Sequence, residues 1–113
     1  MPSLDERIFR KKLTFAFGAT DQTLEQDIAV EGEITQIHVI LPEFTTAETA
    51  VLTILDEDDL KVYESSAITD NGATVIDATR YAANRQTVKL ALNAAAGGTG
   101  ASATVVIYGK GIG

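Results

Sequence analysis

The stretch Val51–Ser66, VLTILDEDDLKVYESS, decides how the rest of the chain is read. Four consecutive acids, Asp56, Glu57, Asp58 and Asp59, lie between two apolar runs. Such a run is either a metal or catalytic site, or a solvated turn between paired strands. An EF-hand loop starting at Asp56 needs an oxygen ligand at its fifth position, glycine at its sixth and a bidentate glutamate at its twelfth. The chain offers Leu60, Lys61 and Ala67 there. Carboxylates for glycoside hydrolysis face each other across a cleft, whereas adjacent acids on a tight turn point into water. The flanks VLTIL and LKVYE are both strand-like, so the stretch predicts a hairpin with Asp58-Asp59 at its centre. Aspartate tolerates the left-handed backbone region that such turns use.

Outward from this hairpin, apolar residues recur with a period of two, the signature of strands. Leu13, Phe15 and Phe17 share one face. Leu24 and Ile28, then Ile37, Val39 and Leu41, follow the same rule, and Pro42 ends the latter run. Val88, Leu90 and Leu92 align, as do Ala103, Val105 and Ile107. Turn-forming Gly, Asp, Asn, Thr and Ser separate about eight such runs. Two segments, TTAETA at 45–50 and DATRYAANR at 77–85, read as a short helix or loop, too short for the crossover helices of a parallel sheet. The expected class is all-β: an antiparallel β-sandwich with jelly-roll or immunoglobulin-like topology. The expected organisation is an N-terminal arm over residues 1–12 and one sandwich domain over 13–113.

The chain of 113 residues can bury a core without staples, and it has no cysteine, which excludes disulfides and thiolate metal sites. No stretch has the length and apolarity of a signal peptide or membrane span, so a soluble intracellular product is expected. The net charge is −7, unevenly spread. Residues 1–12 carry +2 through Arg7, Arg10, Lys11 and Lys12, and the remainder carries −9. An acidic body repels phosphate backbones, which argues against nucleic acid as a partner.

No catalytic set is visible, and no cofactor is expected. The single histidine, His38, falls on the strand face opposite Ile37, Val39 and Leu41, together with Gln36 and Ile40. One histidine makes neither a catalytic triad nor a zinc site. GKGIG at 109–113 and GGTGAS at 97–102 lack the following helix that a phosphate loop requires, and read as flexible joints. The three tyrosines form no sequence-local platform for sugars.

The segments GEITQIHVILPEFTTAETAVLTILDEDDLKVYESSAI (32–68) and QTVKLALNAAAGGTGASATVVIYGKG (86–111) carry a wider likeness. In composition and strand rhythm the chain resembles the small β-sandwich virion proteins of tailed bacteriophages, above all capsid decoration (cement) proteins and head or tail accessory proteins. The resemblance spans roughly residues 13–109 and fixes no binding residue. It implies a noncatalytic virion subunit, made in the host cytoplasm, that forms homo-oligomers such as trimers and binds the major capsid or another virion protein. Strands apolar on both faces, AVLTIL and TVVIY, fit such an assembly. They name Leu52, Ile54 and Val106, with the basic residues Arg7, Arg10, Lys11 and Lys12, as interface candidates. The alternatives are a carbohydrate- or calcium-binding sandwich module, or a tail or head–tail accessory protein.

Overall fold

The computed structural model describes residues 6–29, 32–44, 49–82, 85–97 and 101–112. Among them there are nine strands and no helix. They are β1 (Glu6–Phe17), β2 (Thr23–Ala29), β3 (Gly32–Leu41), β4 (Thr49–Leu55), β5 (Lys61–Glu64), β6 (Ile68–Thr69), β7 (Gly72–Ala82), β8 (Arg85–Leu92) and β9 (Ala101–Ile112).

The pairings are nested. β1 pairs with β9, β2 with β8, β3 with β7, and β4 with β5 and β6, all antiparallel. The chain is thus one long hairpin folded double, with the Asp56–Leu60 turn at its tip. Two further pairings, β3 with β9 and β4 with β8, wrap that hairpin into two sheets. One sheet has the order β1-β9-β3-β7; the other has β2-β8-β4-β5, with β6 also on β4. Nested hairpins wrapped into two facing layers, here of four and five strands, are the jelly roll, which decides between the two topologies left open above.

The core lies between the layers. Phe15, Ile37, Val39, Leu52, Ile54, Val88, Leu90, Val105 and Ile107 are fully enclosed. Each such side chain contributes about 1.5–3 kcal/mol by leaving water. Phe17 and Phe44 meet edge to face at 6.1 Å within this core. The Gln26 side-chain amide donates to the Thr14 carbonyl, joining β2 to β1 where the two sheets meet.

Three expectations need correcting. Residues 6–12 are not a free arm: Glu6 to Lys12 lie in β1, opposite Ile112 to Val106. Residues 77–82 and 85 of the segment 77–85 are strand and not helix, and 83–84 lie outside the described residues. Asp77, Arg80, Tyr81 and Ala82 of β7 pair with Gln36, Ile34, Glu33 and Gly32, and Arg85 opens β8. The Gly-rich end is not a joint either, because Gly109 to Ile112 continue β9. In each case long-range pairing overrides a weak local preference. Of TTAETA, Thr49 and Ala50 open β4, and 45–48 lie outside the described residues, as do 98–100 of the second glycine segment.

Candidate assembly face

The acidic turn is a structural device. Asp56 Oδ1 accepts the backbone N–H groups of both Asp58 and Leu60, each at 2.9 Å. Asp59 N–H donates to the Asp56 carbonyl, and Asp59 takes the left-handed conformation with φ 62°. Arg85 Nη2 adds a bond to the Glu57 carbonyl at 3.2 Å. Asp56 caps the turn, while Glu57, Asp58 and Asp59 remain exposed. Among the described residues no three His, Cys, Asp or Glu side chains converge to hold a metal ion.

The candidate interface residues separate by strand parity. Leu52 and Ile54 are fully buried between the sheets, so they cannot serve as an outer contact; the outward set of β4 is Thr49, Val51, Thr53 and Leu55. Val106 does face outward. It lies between Lys12 and His38 in the register, outside the inter-sheet core, yet is only 4% exposed. Arg10 and Lys12 share that face; Lys11 falls on the opposite parity and is exposed, and Arg7 sits in β1 opposite Gly111.

Three adjacent cross-strand rows occupy the middle of this outer face of the four-stranded sheet. They run Arg10–Tyr108–Gln36–Asp77, then Lys12–Val106–His38–Val75, then Thr14–Thr104–Ile40–Ala73. The first two are bonded together. Arg10 Nε donates to Tyr108 Oη at 3.1 Å, and its guanidinium carbon lies 5.8 Å from the Tyr108 ring centre. The His38 and Tyr108 rings stand 5.0 Å apart. His38 Nε2 lies 2.8 Å from Gln36 Oε1, so this nitrogen carries the proton, and Gln36 Nε2 donates to Asp77 Oδ1 at 2.9 Å. Ile40 and Val75 stand beside these groups, 45% and 52% exposed.

The parity of β3 already grouped Gln36, His38 and Ile40. Tyr108, Asp77 and Val75 join them only through the register, which alternation in a single strand does not contain.

The opposite outer face is different. On the five-stranded sheet, Glu25 stands opposite Lys89, Thr87 donates to Asp27 Oδ1 at 2.8 Å, and Arg85 approaches Asp27 at 3.7 Å. These charges alternate and neutralise one another. An open cleft of 440 Å³ between β5–β6 and β7 is lined by Tyr63, Ser65, Ser66, Thr69 and Thr74 among others.

No protein-family model matches the chain, and no curated protein matches it by sequence. Solved structures do match along nearly its whole length. One belongs to the acid-stable capsid structure of Helicobacter pylori bacteriophage KHP30, with TM-score 0.54, 13% identity and 92% of each chain covered. Another is the SPBc2 prophage-derived protein YomS, with TM-score 0.51, 16% identity, and coverage of 88% of this chain and 95% of that one. At these identities the likeness is one of fold.

Proposed function

We propose that this chain is a noncatalytic structural protein of a bacteriophage virion, and within that class a capsid decoration protein that stabilises the head. The observation that carries the reading is the whole-chain correspondence with a chain of a phage capsid structure, 92% on both sides. A minimal jelly roll matched to such a chain with almost nothing left over suits a subunit whose work is done by its surfaces. The mechanism needs no chemistry. Each copy buries area against itself and the capsid lattice, and binding to the assembled state alone stabilises that state by mass action.

The reading has the protein made in the host cytoplasm and carried in the virion, with itself and the major capsid protein as partners. A tail or head–tail accessory role is the nearest alternative within the same class. Calcium binding at the acidic turn is disfavoured by the use of Asp56 as its cap.

Quantitative mass spectrometry of density-purified particles from cells carrying the gene tests the proposal. The chain is expected at a copy number comparable with the major capsid protein. A few copies per particle would favour the accessory role. Absence from particles, with the chain left in the soluble fraction, would overturn the reading.

A further inference from the structure

The outer face of the four-stranded sheet is graded in charge. Its β1 side carries Arg10 and Lys12, both exposed, and its β7 side carries exposed Asp77 with Val75 and Ala73. Arg10 engages Tyr108 through Nε, and Asp77 engages Gln36 through Oδ1. Among the described residues, no partner is found for the Arg10 terminal nitrogens or for Asp77 Oδ2. Among the described residues, the two ends of one row thus present a donor pair and an acceptor with no partner, on a face that also carries Val75, Ile40 and aromatic groups.

We infer that this face packs on the same face of a second copy, about a two-fold axis running along the strands between β9 and β3. This names a surface and a partner for the assembly reading above, and rests on it. The charge pattern selects the axis. Two copies can meet through one face about an in-plane axis across the strands or along them. An axis across the strands lays β1 over β1 in the reverse direction, so the Arg10 and Lys12 pair faces the same basic pair of the partner subunit, and like charges repel. An axis along the strands lays β1 over β7 and keeps each row in place. Arg10 then meets Asp77 of the partner subunit, and Asp77 meets Arg10 of the partner subunit. The same operation carries the Lys12 stem over Val75 of the partner subunit, where a lysine's methylenes can cover an apolar group. Two twisted sheets packed with strands nearly aligned are a common layer arrangement.

Sedimentation velocity on the full chain, with Arg10→Asp, Asp77→Arg and the double variant, tests this. Both residues are exposed, and circular dichroism checks that each variant folds. The wild type is expected to be dimeric. Arg10→Asp places Asp against Asp twice, and Asp77→Arg places Arg against Arg twice, so each single variant should dissociate at least about tenfold more readily. Mixing the two single variants restores both oppositely charged pairs in a mixed dimer, and the double variant restores them in its own dimer. A monomeric or trimeric wild type overturns the inference, as does a single variant that dimerises normally or a mixture without rescue. Particle binding is read separately. A monomer that still binds particles sinks only the two-fold contact, and a dimer that ignores particles sinks only the virion reading.

Discussion

Asp56 and Leu60 bind each other twice: the Asp56 N–H donates to the Leu60 carbonyl, and the Leu60 N–H donates to Asp56 Oδ1, both at 2.9 Å. This reciprocal contact closes the tip of the nested hairpin from which the jelly roll is wrapped. It makes the four acids unequal. Asp56→Ala removes two backbone caps and is expected to destabilise the fold by about 0.5–2 kcal/mol, the range for a lost side-chain cap. Glu57→Ala and Asp58→Ala should stay within about 0.5 kcal/mol. Urea denaturation of the three variants checks the ranking. Calcium should leave the melting temperature of the wild type unchanged; a shift lost in Asp56→Ala would revive the metal reading.

Asp59 holds a positive φ without being glycine. A β-branched residue there meets the full steric penalty of the left-handed region, so Asp59→Val should cost about 1–2 kcal/mol. Asp59→Gly should lie within about 0.5 kcal/mol of the wild type, because relief of strain is offset by a freer unfolded chain. Thermal melts of the pair measure the difference.

Leu52 and Ile54 serve stability and not recognition. Leu52→Ala and Ile54→Ala are each expected to cost about 2–5 kcal/mol, as for other fully enclosed side chains. The milder Ile54→Val should cost about 0.5–1.5 kcal/mol and leave the oligomeric state of the folded protein unaltered. A change of assembly in folded Ile54→Val would contradict its burial between the sheets.

Gly109 is placed where β9 passes under Phe9 and beside β3. A Cβ there would collide with the Phe9 ring and with the Glu33 carbonyl. Gly109→Ala should destabilise by about 1–3 kcal/mol or more, since the carbonyl belongs to a paired strand and cannot swing aside. Gly72→Ala is the control, because nothing lies within 4 Å of its added carbon. Equilibrium denaturation should separate the two.

Most of the layer architecture was legible from alternation. Ile37, Val39 and Leu41, the Val88 set and the Val105 set are buried as their parity requires, and His38 faces away from them with Gln36 and Ile40. Alternation failed where it carries no information. AVLTIL is apolar at both parities, so nothing in the strand says that Leu52 and Ile54 point inward. It also failed where pairing is distant. Lys12 finds Val106 and Asp77 finds Gln36 only after the chain has doubled back, so residues 6–12 and 77–82 looked unattached or helical. The bonded row on the outer face shares that origin: Arg10 and Tyr108 are 98 positions apart.

The central claim is that this jelly roll is a virion subunit. Cryo-electron microscopy of particles purified from cells carrying the gene tests it most directly. The account predicts symmetric density on the capsid into which the nine strands fit, with β4 and β5 joined at the Asp56 turn. Particles whose ordered density is filled entirely by other chains, with this protein remaining in the soluble fraction, would contradict it.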